Sequence, residues 1–132
     1  MDLVDVVEMK GSIVLAADDP AALASFYGSL LAVEPQQGLS ASHWRVAWPA
    51  GGFLEIYAPS SSRPQPRQLG RVALCLQRHA DGGDPTQVLH DWIGQATAQG
   101  ASLHTPPRQE PFGVEAWLLD PEGNRLLLLV QA

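Results

Sequence analysis

Apolar and polar positions change period several times along the chain, and each change marks an element. Residues 12–17 (SIVLAA) form an apolar run of strand length. Asp18, Asp19 and Pro20 then start a helix. An Asp side chain accepts from the orphan amides of a first helical turn, and proline at the first position has no amide to lose. Leu23, Phe26, Tyr27, Leu30 and Leu31 recur at helical spacing and give one apolar face, which Pro35 ends. Residues 43–48 alternate, with Trp44, Val46 and Trp48 on one side and His43, Arg45 and Ala47 on the other. A turn at 49–52 (PAGG) and a returning strand at 53–57 (FLEIY) predict a hairpin.

Residues 59–69 (PSSSRPQPRQL) have no apolar face and read as an exposed linker. The order then repeats. Residues 71–76 (RVALCL) predict a strand, and Asp84-Pro85 repeats the helix start. Val88, Leu89, Trp92, Ile93 and Ala96 form a helical face, which Gly100 closes. Strands follow at 101–105, 112–119 and 126–130, the last two joined by a turn at 120–124 (DPEGN). Each half is read as β-α-β-β-β, the first with three of its four strands placed by pattern. The repeat lies in the order of elements, since no residue-level identity between the halves is evident.

Composition narrows the function classes. The 132 residues are 45% hydrophobic and 17% charged, as in a folded single domain. Eight Lys+Arg against fourteen Asp+Glu give a net charge of -6. That argues against a nucleic acid or an anionic membrane as partner. One cysteine, Cys75, excludes an internal disulfide and a Cys-based zinc knuckle. The N-terminus (MDLVDVVEMK) has neither the charge nor the apolar run of a signal peptide, and no stretch has the length of a membrane span. A cytoplasmic location is expected.

Two local matches carry a family resemblance. The segment AADDPAALASFYGSLLAVEP resembles a strand, Asp, helix and Phe-Tyr pair found in the vicinal oxygen chelate superfamily, and WLLDPEGNRLLLLV resembles that family's closing hairpin. The superfamily includes glyoxalase I, bleomycin-resistance proteins and extradiol dioxygenases. With the element order, the resemblance covers residues 12–130. It implies an α+β fold in which two βαβββ modules curve a sheet around a cleft, with the helices outside. The chain is then one glyoxalase-like domain, with module one at 12–58, the linker at 59–69 and module two at 70–131. Members of this size commonly pair, so a homodimer is expected, and the polar linker would let modules pair within or between chains.

The resemblance also places the family's metal ligands, by position, on Ser12, Glu55, Arg71 and Leu127. Only Glu55 suits a metal. Serine is a poor ligand, leucine is none, and arginine stays protonated and repels a cation. The expectation is no metal and no cofactor. Glu55 lies mid-strand between Leu54 and Ile56 and needs a partner if buried. Arg71 is the expected one, supplying the positive charge a metal would bring.

Strand alternation sorts the faces independently of any family. In each strand a purely apolar face packs under a helix and a mixed face lines the cleft. The expected lining is His43, Arg45, Phe53, Glu55, Tyr57, Arg71, Glu115, Trp117, Arg125 and Leu127. Trp44 and Trp48 fall on the helix side and read as core. Phe53 and Trp117 read equally as cleft filling or ligand contacts. His43 is either exposed at a strand start or a general base. Cys75 reads as a buried small hydrophobe. The Glu55–Arg71 pair is either an ion pair closing an abandoned site or part of a ligand site.

Two functions from different classes follow. One is metal-free binding of a small organic molecule in the cleft, with the arginines suiting an anionic or carbonyl group. The other is a lyase, isomerase or dioxygenase of the superfamily with an altered or metal-independent site, Glu55 or Glu115 acting as general base. A third reading is a purely structural or regulatory module whose cleft holds nothing.

Overall fold

A computed structural model describes residues 9–49, 51–62 and 71–132. The acidic N-terminal stretch up to residue 8 and most of the expected linker, from residue 63 on, lie outside the described residues. Two sheets form, each backed by one helix.

The first sheet holds β1 (Ser12–Ala16), β2 (Gln36–Gln37), β3 (His43–Ala47) and β4 (Phe53–Tyr57), in the order β1-β4-β3-β2. Helix α1 (Pro20–Leu31) packs against β3 and β4. The second sheet holds β5 (Leu74–His79), β6 (Ser102–Leu103), β7 (Arg108–Glu110), β8 (Gly113–Leu119) and β9 (Arg125–Gln131). Its order is β5-β9-β8-β6, and β7 also pairs with β8. Helix α2 (Pro85–Ala98) packs against β8 and β9. The edge strand is split because Pro106 and Pro107, which have no amide to donate, fall between β6 and β7. Both helices start as expected: Asp19 accepts from Ala22 N–H and Asp84 from Thr86 N–H, each at 3.1 Å, with proline following.

Alternation holds in both sheets. Leu54, Ile56 and Val46 are buried under α1, and Leu126, Leu128, Val130, Val114, Ala116 and Leu118 under α2. Trp44 and Trp48 pack against this core, and Trp48 meets Tyr27 edge to face at 6.3 Å. Among the described residues no helix is long and apolar enough to cross a membrane.

The 120–124 turn joins the two halves. Asp120 is buried, and its Oδ1 accepts from the Glu122 and Asn124 amides, both at 2.9 Å. Its Oδ2 accepts the Tyr27 hydroxyl at 2.7 Å. The Glu122 carboxylate accepts from Asp18 N–H at 2.7 Å and Asp19 N–H at 3.1 Å. An acid from the second half thus satisfies the two amides just ahead of α1, where the helix dipole also favours negative charge.

The second half corrects three expectations. The strand expected at 71–76 is Leu74–His79 instead. Its parallel register with β9 runs from Leu74↔Leu126 to His79↔Gln131. Extending that register backwards would set Arg71 opposite Gly123, which lies in the turn with φ +87°. Arg71 therefore has no strand to pair with and is exposed, as is Val72. Cys75, expected buried, is exposed on the face away from α2.

Candidate functional site

On the face of the first sheet away from α1, a cavity of about 800 Å³ opens. Ser12 and Val14 of β1 and Glu55 and Tyr57 of β4 make its floor. The loop before β3, with Leu39, Ser40, Ser42 and His43, forms one wall, and Ala58, Ser60 and Ser62 form another. Among the described residues the lining holds five serines and one carboxylate, and the serine hydroxyls pair in part, Ser40 with Ser42 at 3.4 Å and Ser60 with Ser62 at 3.2 Å.

Glu55 is held from two sides. Antiparallel register sets it opposite Arg45, and His43 opposite Tyr57, so all four side chains share one face. The Arg45 Nε–H donates to Oε1. The His43 Nε2 lies 3.1 Å from Oε2. The other ring nitrogen, Nδ1, accepts from Leu39 N–H at 2.8 Å, which fixes the Nε2–H tautomer and makes the ring a donor to Glu55. The Glu55 side chain is 17% exposed and Arg45 is 38% exposed. The Arg45 guanidinium lies over the Phe53 ring, 3.8 Å from its centroid.

The loop that carries Leu39 is tied to His43 through its backbone. Gly38 N–H donates to the His43 carbonyl at 2.7 Å, and His43 N–H donates to the Ser40 carbonyl at 3.1 Å. The Gln37 side-chain amide reaches both carbonyls. Gly38 is required by the ring itself: a Cβ there would lie 2.2 Å from His43 Nδ1.

The pair expected between Glu55 and Arg71 does not form in the chain. Arg45 and His43 take both carboxylate oxygens, and Arg71 lies ahead of β5. Of the expected lining, the structure brings His43, Glu55 and Tyr57 into the cavity, with Arg45 and Phe53 immediately beside Glu55. Glu115 and Trp117, with Leu127, lie on the second sheet, each half-buried, while Arg125 is exposed at the start of β9. Ser12, singled out as a family ligand position, lines the cavity, whereas Val14, Leu39, Ser40, Ser42, Ser60 and Ser62 were missed. Ser60 and Ser62 sit in the expected linker, and Ser40 and Ser42 between the helix and strand the pattern placed; all four are exposed at the rim.

The two hairpins allow a direct comparison of the halves. Trp48 N–H bonds to the Gly52 carbonyl at 3.1 Å, and Asp120 N–H to the Asn124 carbonyl at 2.8 Å. Three residues past each turn stand Glu55 and Leu127. Glu55 is flanked by Val14 and Arg45, and Leu127 by Cys75 and Trp117. This donor set does not fit a divalent metal. The one carboxylate already accepts from a guanidinium and an imidazole, and Leu127 and Trp117 offer no ligand atom. Although Cys75 is exposed, partial desolvation of its thiol raises it above its ordinary range, a Gln77 hydrogen bond opposes this and the Glu115 charge adds to it.

Residues 12–129 match the glyoxalase-like domain family. The chain belongs to that family, within the vicinal oxygen chelate superfamily. Its fold is that of the glyoxalase/bleomycin-resistance proteins. A glyoxalase/bleomycin resistance protein/dioxygenase family enzyme from Burkholderia phytofirmans PsJN superposes with a TM-score of 0.72 at 16% identity, covering 92% of this chain and 97% of that one. A glyoxalase/bleomycin resistance protein from Albidiferax ferrireducens T118 does so with 0.67 at 21% identity, covering 92% and 97%. A lactoylglutathione lyase from Agrobacterium tumefaciens gives 0.57 at 19% identity, covering 92% and 91%. No curated protein matches the sequence.

Proposed function

We propose that the chain binds a small organic molecule in the cavity of the first sheet without a metal. One observation carries this: Glu55, at a position the family uses for metal, is bonded by Arg45 and His43 on the floor of an open cavity. Arg45 supplies the positive charge a cation would bring. The cavity volume of about 800 Å³ suits a drug-sized ligand. We take the chain as two modules, 12–58 and 70–131, that pair in a homodimer; the half-buried Trp117, Leu127 and Leu129 on one face of the second sheet, which a second copy would cover, support this reading.

Titration with a panel of small molecules, read by amide shifts of the labelled protein, tests the binding. Shifts at Leu39, His43 and Glu55 support it. A broad panel that moves none of them contradicts it. Light scattering tests the dimer, which a single species of 14.2 kDa at micromolar concentration would exclude.

A second reading is a metal-independent lyase or isomerase with Glu55 as general base. It is favoured by the orientation that His43 and Arg45 impose on a carboxylate facing the cavity. Turnover of a bound compound, abolished by Glu55→Gln with binding retained, would select this reading over simple binding.

A further inference from the structure

We infer that Arg45 is a carboxylate-binding subsite beside the cavity, so that the ligand of the first sheet is an organic acid with an apolar body. This rests on the binding reading above and names the ligand class for that site. The argument starts from register. Val14, Glu55, Arg45 and Gln36 stand opposite one another across β1, β4, β3 and β2, and so share the sheet face away from α1. Val14 and Glu55 line the cavity, and Arg45 stands one strand further out. A guanidinium carries five N–H donors on a rigid plane, and Glu55 takes the one on Nε. The two Nη groups form a second fork on another edge of that plane. The Phe53 ring centroid lies 3.8 Å from the Arg45 Cζ, a contact that covers a face of the guanidinium and not an edge. The Arg45 side chain is 38% exposed, which leaves the second fork within reach of a ligand.

That fork fits a carboxylate, whose two oxygens accept two parallel N–H bonds. Glu55 does not forbid it. With guanidinium edges set roughly 120° apart, a carboxylate on the Nη edge sits roughly 4 Å from the guanidinium charge and roughly 7 Å from the Glu55 carboxylate, so attraction outweighs repulsion. Gln36, exposed and next to Arg45 in register, supplies a further amide donor. A neutral hydroxyl uses one donor of the fork and gains no charge interaction. The apolar body has its place on the far side of Glu55. Val14 is 47% exposed and Leu39 is 85% exposed, and both line the cavity. Val14 stands two strands from Arg45, about 10 Å at ordinary strand spacing, which an arylalkyl acid spans. Covering Val14 and Leu39 removes apolar surface from water that the fold leaves open.

The test uses three probes that share a phenylpropyl body and differ in the head: 3-phenylpropionate, 3-phenylpropan-1-ol and 3-phenylpropylamine. Each is titrated against the labelled full chain at about pH 7.5, where the acid is ionised. The propionate is expected to shift the Arg45 side-chain Nε–H together with the Glu55 and Leu39 amides. It should bind about tenfold tighter than the alcohol or the amine, an advantage that high salt reduces. Arg45→Lys keeps the charge beside Glu55 and removes the fork, so it should weaken propionate binding about tenfold and leave the alcohol within about twofold. Arg63→Gln and Arg67→Gln, at the two arginines of the expected linker, should leave the preference in place. If Arg45→Lys fails to fold, the wild-type Arg45 side-chain signal decides: moved by the propionate and not by the alcohol, it supports the subsite, and unmoved, it overturns it. Equal affinity for the three heads, a preference that survives Arg45→Lys, or one lost in Arg63→Gln or Arg67→Gln would each overturn the subsite while leaving binding intact. If the propionate moves nothing and another compound of the panel moves Leu39, His43 and Glu55, the subsite fails and the binding reading stands. If no compound moves them, both fail.

Discussion

Gly38→Ala should break the site through a single contact. Its backbone does not occupy the left-handed region, so alanine is conformationally allowed there. The cost falls on His43, whose Nδ1 and Cγ would lie 2.2 and 2.4 Å from the new Cβ. The backbones cannot separate freely, because Gly38 N–H is bonded to the His43 carbonyl at 2.7 Å. The ring must therefore swing out. It then gives up the bond from Leu39 N–H at 2.8 Å and the bond to Glu55 at 3.1 Å. A neutral bond contributes about 1 kcal/mol and one to a charged group about 1.5–3, and partial access of water to the site trims the sum, so a loss of about 2–3 kcal/mol is expected. Urea unfolding of Gly38→Ala, His43→Ala and the double variant separates this cause from others. With His43 truncated there is no ring to displace, and Gly38→Ala should cost no more than about 0.5 kcal/mol. An equal cost in both backgrounds would refute the reasoning.

Tyr27→Phe removes the buried hydroxyl bonded to Asp120 while keeping the ring, and should cost about 1.5–3 kcal/mol in the same assay. Burial, then the Asp120 charge and hydrogen bond, hold the Tyr27 hydroxyl well above its ordinary value of 10.0. A raised folded value means that this contribution is whole below about pH 10 and is lost as pH rises further. Stability measured from pH 9 upward should fall less steeply in Tyr27→Phe than in the wild type, and identical slopes would count against it. Glu55 should couple to Arg45 and not to Arg71. A Glu55/Arg45 double-mutant cycle should show up to about 1 kcal/mol, given how exposed Arg45 is. Arg71→Ala should leave stability within about 0.5 kcal/mol, and a larger loss would mean that Arg71 has a partner.

Much of this was legible in the sequence for identifiable reasons. Asp-Pro starts and apolar periodicity located both helices, and alternation sorted both sheet faces. The short edge strands Gln36–Gln37 and Arg108–Glu110 were not legible, because polar residues at an edge are strands only by virtue of the neighbour they pair with. The partner of Glu55 was readable but was sought in the wrong place. A hairpin turning at 49–52 pairs Ala47 with Phe53 and hence Arg45 with Glu55, and cross-strand register decides such contacts before long-range convergence does. Position along a motif pointed to Arg71, yet the register of β5 is set by where β9 begins. The part played by Leu39 rests on its backbone amide, which no side-chain pattern reveals.

The central claim is that this cavity binds its ligand without a metal. The measurement closest to it is an amide-shift titration of the full chain with the compound of the small-molecule panel that moves Leu39, His43 and Glu55 most, run in excess EDTA and again with one equivalent of Zn, Ni, Mn or Fe in turn. Shifts at Leu39, His43 and Glu55 and a Kd that is the same in every arm are expected. Binding that vanishes in EDTA and returns with one of the metals would contradict it.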